Sequence, residues 1–149
     1  MKKLIIFDLD GVIAEGLALE EYSKDGAFLT PKVVKGARYA LEVIKRLGWE
    51  IRVCSKTFQE HKHIQEKAEK IMWLTHNNLM DFFTEIIILP PSENKKDLPC
   101  LADGSAILID DYSGNRVKNF IQMFEHKKKD WATADSWAEL INILMEMDK

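Results

Sequence analysis

Two hydrophobic periods alternate along this chain. Short apolar runs, Leu4-Ile5-Ile6-Phe7, Ile51 to Cys54, Ile86-Ile87-Ile88-Leu89 and Ala106-Ile107-Leu108-Ile109, are bounded by polar or turn-forming residues and read as buried parallel strands. Trp49 to Cys54 predicts the second strand, and Pro90-Pro91 ends the third. Between these runs the period lengthens. Val33, Val34, Ala37, Leu41, Ile44 and Leu47 recur at helical spacing, with Thr30-Pro31 expected as N-cap and first-turn proline and Gly48 as the stop. Gln59 to about Asn78 predicts a long charged helix with Ile64, Ala68, Ile71, Met72 and Trp73 on its apolar side, and Val117, Phe120, Ile121 and Phe124 predict another. Trp131-Ala132-Thr133 reads as a short fifth strand. Ser136 and Glu139 form a capping box before a last helix bearing Trp137, Ile141, Leu144 and Met145. Strands interleaved with helices imply right-handed crossovers, so the expected fold is α/β, a three-layer α/β/α Rossmann-like core with a mostly parallel sheet. Glu15 to Leu29 has no steady period, and a short flap or small cap is expected at about 15–32.

Composition narrows the setting. A chain of 149 residues, 46% hydrophobic, suits one globular domain over 1–149. Its net charge of −3 provides no broad basic field for nucleic acid, and Lys127-Lys128-Lys129 reads as a solvated loop. Cys54 and Cys100 do not make a disulfide framework. The apolar run after Met1-Lys2-Lys3 is cut short by Asp8, well below a signal core or a membrane span. A cytoplasmic protein without membrane attachment is expected; oligomeric state is not legible.

The polar residues at the ends of the apolar runs carry the chemistry. Asp8 and Asp10 close the first run, Ser55 and Lys56 the second, and Asp110-Asp111 the fourth, while Lys95 and Lys96 follow the third. In an open α/β sheet the ligand site forms at the carboxyl ends of the strands, which would bring four carboxylates together. Such a crowd calls for a hard cation, and Mg²⁺ combines with carboxylates, waters and a substrate phosphate. One carboxylate can attack phosphorus, a second two residues on can protonate the leaving oxygen, and a lysine with a metal can neutralise the transferring group. A serine hydroxyl would hold the remaining phosphate oxygens.

These residues, Asp8-Leu9-Asp10-Gly11-Val12, Ser55, Lys95 or Lys96, and Asp110-Asp111, resemble in order the four motifs of the haloacid dehalogenase (HAD) superfamily of aspartate-nucleophile phosphatases. The resemblance implies Asp8 as nucleophile and metal ligand, and Asp10 as general acid/base and ligand through its carbonyl. It further implies Asp110 as third protein ligand, with Asp111 beside it, Ser55 with Lys56 at the phosphoryl group, and a lysine, Lys95 being favoured, on the transferred charge. Gly36-Ala37, Lys70-Ile71-Met72-Trp73-Leu74 and Leu108-Ile109-Asp110-Asp111 are similar to the 5′(3′)-deoxyribonucleotidase branch. That likeness implies a small-molecule phosphate ester as partner, a nucleoside monophosphate above all, with sugar phosphates or polynucleotide phosphate ends as alternatives. A receiver-like switch and a non-catalytic phosphate-binding protein are the competing classes; a receiver places a single acceptor aspartate on its third strand, where this chain has none. His61, His63, His76 and His126 read as surface or capping residues, and Trp73, Trp131 and Trp137 as core or interface.

Overall fold

The computed structural model describes residues 3–148. Six strands form one parallel sheet: β1 Leu4–Phe7, β2 Glu50–Lys56, β3 Glu85–Leu89, β4 Ile107–Asp110, β5 Phe120–Met123 and β6 Ala132–Ala134, in the order β3-β2-β1-β4-β5-β6. The chain runs outward from β1 to β3, then crosses back to β4 on the other side of β1. This reversal opens a crevice at the carboxyl ends of β1 and β4, where a doubly wound sheet takes its ligand.

Alternate strand residues face two cores. Ile5, Phe7, Ile51, Val53, Ile107, Ile109, Ile121 and Met123 pack beneath helices α1 (Ala37–Arg46), α2 (His63–His76) and α4 (Trp137–Met147). Leu4, Ile6, Cys54, Leu108 and Phe120 face the other way, toward Leu101 of the one-turn helix α3 (Pro99–Ala102). The layers are therefore unequal. Three helices cover one face and a single turn with loops covers the other. Ser136 caps α4 as expected, its hydroxyl accepting from the Glu139 N–H at 3.2 Å.

Three local expectations are corrected. Phe120 to Met123 is β5 rather than part of a helix. Both of its faces are buried between β4 and β6, so the period-2 signal vanishes and the spacing with Val117 and Phe124 imitates a helical stripe. Helix α1 starts after Gly36, six residues beyond Thr30, whose hydroxyl instead donates to the Ala27 carbonyl and closes a 3₁₀ turn at Ala27–Leu29. On α2 the expected face is only partly the buried one: Trp73 is buried as expected, but its company is not. Glu66, Glu69, Lys70, Trp73 and Leu74 are buried, whereas Ile64 is 85% exposed and Met72 is exposed too.

The buried charges on α2 have partners. Glu66 accepts from the Phe58 and Gln59 N–H groups, and Glu69 accepts from the Phe28 N–H at 3.3 Å. The Glu69 contact, with Lys62–Asp25 (2.8 Å), Gln65–Asp25 (3.1 Å) and the Trp73 indole N–H to the Pro31 carbonyl (2.7 Å), clasps the segment 15–32 onto α2 and the residue before it, while Glu66 ties α2 to the chain just after β2. Its only regular structure is two 3₁₀ turns, Leu19–Glu21 and Ala27–Leu29, so the proposed cap is a small flap. Among the described residues no helix is long and apolar enough to cross a membrane.

Candidate active site

Strand β1 delivers Asp8 to the crevice, and the Asp8 N–H donates to the Ile109 carbonyl at 2.8 Å, fixing it beside β4. The chain then turns tightly through Asp10 and Gly11, with the Gly11 N–H on the Ala14 carbonyl at 2.7 Å. Glycine is required at this turn: φ is +81°, and a Cβ at position 11 would sit 2.3 Å from an Asp111 carboxylate oxygen. Strand β4 ends in Asp110, which is buried. Its Oδ1 accepts from the Tyr112 N–H at 3.0 Å, and its Oδ2 accepts from Asn115 at 3.0 Å and Lys95 at 2.9 Å.

Lys95 and Lys96 are placed differently. Lys95 is 2% exposed and also donates to Asp8 Oδ1 at 2.7 Å, while Lys96 points to solvent. Both lie in one 3₁₀ turn, Lys95–Asp97, whose tight winding sends neighbours in different directions. Ser55 is buried near the end of β2, and Lys56 is half-buried beside Asp10 without entering the carboxylate cluster.

A second buried lysine was not anticipated as a site residue. Lys70 of α2 is 1% exposed; its Nζ is paired with Asp10 Oδ2, donates to Ser55 Oγ at 2.9 Å and lies 4.2 Å from the centre of the Phe28 ring. Lys95 thus approaches from the thinly covered face of the sheet and Lys70 from the helical face. The signal was present in the sequence: Glu66, Lys70 and Trp73 share one helical face, an unusual company for an exposed stripe.

Asp8, Asp110 and Asp111 each offer a carboxylate oxygen within 4.8 Å of the others. Two lysines offset two of the four carboxylates, leaving the charge that one hard divalent cation would neutralise, and an all-oxygen donor set suits Mg²⁺. The Asp10 side chain is turned toward Lys70 and lies outside this group, leaving its carbonyl as the ligand the resemblance implies. No histidine joins a cluster of this kind among the described residues; His63 pairs with Thr57 at 2.8 Å and His126 with Asp135 at 3.0 Å.

Electrostatics follow the burial. Loss of solvent pushes Asp8 up to about 8, with the charges of Asp110 and Asp10 acting in the same direction and Lys95 against them. Asp111 is pushed up to about 6 by burial and by Asp110. Burial alone would lower Lys95, yet Asp8 and Asp110 overcome it and hold the ammonium above its ordinary value.

Beside Asp10 a recess of about 210 Å³ is walled by Tyr22, Phe28 and Phe58 with Leu19, Lys56 and Thr57. Tyr22 sits between the other two rings, 5.7 Å from Phe28 and 5.6 Å from Phe58 between centres. A larger hollow of about 730 Å³ lies at the opposite, amino-terminal end of β4 to β6 and contains none of these carboxylates.

The sheet order and the strand-end carboxylates define an α/β fold of the haloacid dehalogenase type, and solved structures agree. The chain is similar to D,D-heptose 1,7-bisphosphate phosphatase from B. bronchiseptica, solved with magnesium and phosphate (12% identity, 99% of each chain, TM-score 0.66). It is also similar to a HAD-superfamily hydrolase from Ehrlichia chaffeensis (11% identity, 100% of each chain, TM-score 0.66). A HAD phosphatase from Thermococcus onnurineus is a further likeness (15% identity, 97% of this chain and 98% of that one, TM-score 0.63). No protein-family model matches the sequence, and no curated protein does.

Proposed function

We propose that this protein is a Mg²⁺-dependent phosphomonoesterase that forms an aspartyl phosphate on Asp8 and acts on nucleoside monophosphates. The observation that carries the reading is Asp8 held by Lys95 within a cluster of three carboxylates, with Asp10 two residues on at the mouth of the recess. An Asp8 carboxylate oxygen attacks phosphorus, the ester P–O bond breaks, and Asp10 gives its proton to the leaving oxygen. Asp10 then takes a proton from water, whose oxygen attacks the same phosphorus. The P–O bond to Asp8 breaks, releasing inorganic phosphate and restoring the carboxylate. Ser55 and Lys95 hold the non-bridging oxygens. Bound at Asp8, Asp110 and the Asp10 carbonyl, with Asp111 adjacent, Mg²⁺ would supply charge neutralisation of the transferring group.

The leaving group must extend from Asp10 into the aromatic recess. Three rings and Leu19 make most of the wall a good surface for a flat base, with Lys56 and Thr57 as the polar groups on its rim. Leu19 is 73% exposed and Phe58 46%, so the rim is open and discrimination between bases should be weak. The heptose bisphosphate phosphatase among the similar structures favours the second reading, a sugar phosphate. A reducing compartment such as the cytoplasm fits two free cysteines, of which Cys54 is buried with its thiol pushed up to about 12.

Phosphate release with and without Mg²⁺ tests the reading on deoxynucleoside monophosphates, a hexose phosphate and a 3′-phosphorylated oligonucleotide. Nucleoside monophosphates are expected to exceed the hexose phosphate by about tenfold or more in kcat/KM, roughly what burying a flat apolar group contributes in a pocket. A tenfold advantage for the hexose phosphate would retain the phosphatase and reject the nucleotide. No Mg²⁺-dependent release from any of them would reject both.

Metal affinity should depend on pH. Cation binding needs Asp8 as a carboxylate and is favoured by charge on the adjacent Asp111; both hold protons above their ordinary range, so protons compete with Mg²⁺ below about pH 8 at Asp8 and below about pH 6 at Asp111. The apparent Kd is expected to fall by about tenfold per pH unit for each proton displaced as pH rises from 6 to 8, then level off. The metal-free protein should show the opposite trend in stability. A carboxyl whose folded pKa is raised binds more protons folded than unfolded, so its Tm should decline over the same interval. Calorimetric titration and melting at pH 6.5, 7.5 and 8.5 check both; pH-independent Mg²⁺ affinity over this range would remove Asp8 from the binding set.

A further inference from the structure

We propose that Lys70 is a positioning residue for phosphoryl transfer, orienting the Ser55 hydroxyl toward the phosphoryl group and the Asp10 carboxyl toward the leaving oxygen. The inference rests on the phosphatase reading and extends it to a helix that carries none of the four strand-end motifs.

An ammonium group donates and never accepts, so the 2.9 Å contact makes Ser55 Oγ the acceptor of a Lys70 proton. The hydroxyl's own hydrogen must then point elsewhere. Its remaining protein partner, Asp10 Oδ2, lies at 3.5 Å, the outer limit of a hydrogen bond, and that oxygen is already engaged by Lys70. The hydroxyl is thereby set up as a donor to an incoming phosphoryl oxygen. On the other side, Lys70 occupies Oδ2 of Asp10 and leaves Oδ1 for the leaving oxygen at the mouth of the recess. The flap completes the arrangement, because the Phe28 ring lies 4.2 Å from Nζ and the Phe28 N–H is held by Glu69, the residue before Lys70. A lysine this deeply buried is costly unless every donor is used, and two acceptors and an aromatic face use them.

Positioning, bulk charge and structural support make different predictions. Lys70→Met and Lys70→Arg are to be assayed on an aryl phosphate and on an alkyl phosphate, with melting measured on the same samples. If Lys70 positions Asp10 and Ser55, Lys70→Met lowers kcat on the alkyl ester by about 10²-fold, the low end of what a placed acid contributes, and lowers it less on the aryl ester, whose leaving group needs less protonation. KM changes by less than about threefold, since ground-state binding is not what is lost. Lys70→Arg keeps the charge but presents a planar fork, so it too should lose at least about tenfold in kcat. A folded variant of either kind with kcat within about threefold of the parent on the alkyl ester overturns the proposal, as does full rescue by arginine. A crystal structure of the unaltered protein with orthovanadate decides the matter independently of how the variants fold. The expected result is Lys70 still bonded to Ser55 and Asp10, with the serine hydroxyl on a vanadate oxygen; Lys70 contacting the vanadate itself, or departing from Asp10, overturns it. An inactive parent protein would instead reject the phosphatase reading on which the proposal stands.

Discussion

Asp8→Asn is expected to fold like the parent and to lose roughly 10³-fold or more of its phosphate release, because an amide does not attack phosphorus and is a poor ligand for Mg²⁺. The fold should tolerate the change for a specific reason. Burial already disfavours the charged form of Asp8, so a neutral isostere brings no new desolvation cost. The asparagine carbonyl can also keep the 2.7 Å bond from Lys95 that Oδ1 now accepts, and Lys95 retains Asp110 as its charged partner. In the absence of metal the variant should therefore melt within a few degrees of the parent; with metal, the rise in Tm should shrink, since one of three clustered oxygens is gone. Rate and melting on one sample, with Mg²⁺ and with chelator, distinguish a lost nucleophile from a lost fold. Turnover within about tenfold of the parent would take the nucleophile role away from Asp8.

What could be read in the sequence, and what could not, divides along physical lines. The carboxylates were legible because each interrupts an apolar run: a charge at the end of Leu4-Ile5-Ile6-Phe7 or Ile107-Leu108-Ile109 can only lie at the edge of the sheet, and the parallel topology puts those edges together. Strand β5 was not legible because Phe120-Ile121-Gln122-Met123 is buried on both faces, which erases the alternation a half-exposed strand would display. Lys70 was obscured by a competing pattern. Ile64, Ala68 and Met72 fall four apart and form a plausible apolar stripe, yet they face solvent, while the face bearing Glu66, Glu69 and Lys70 turns inward to bind the flap and the site. Periodicity reports where apolar residues recur, and here the buried face earns its place through hydrogen bonds. Lys95 and Lys96 could not be separated at all, since adjacent residues share every compositional signal and only the winding of their turn tells them apart.

That pair yields the other large expected effect. Lys95→Met should cost the metal-free protein about 3–5 kcal/mol of stability, the range for breaking a buried ion pair from one side. Lys95 is the cation shared by Asp8 and Asp110, at 2.7 and 2.9 Å, and without it two buried carboxylates face each other with Asp10 and Asp111 nearby. The loss should grow with pH. The lysine itself does not titrate in the working range, because its carboxylate partners hold it above its ordinary value and its contribution fades only at strongly alkaline pH. The carboxyls do titrate. At pH 6 Asp8 keeps a proton in parent and variant alike. Above about pH 8 it ionises in the parent, while the variant, without the lysine charge that lowers Asp8, must hold that proton or suffer the repulsion, so the loss starts to grow by pH 8.5 and is complete only at more alkaline pH. Mg²⁺ should restore part of the difference by taking over the neutralisation, while the catalytic rate stays depressed because the charge on the transferring oxygens is no longer met from that side. Lys96→Met, on the exposed side of the same turn, should leave stability and rate unchanged. Urea unfolding of both variants at pH 6 and 8.5 makes the comparison: equal effects at the two positions, or a Lys95→Met protein as stable as the parent at pH 8.5, would show that Lys95 is not the clamp between Asp8 and Asp110.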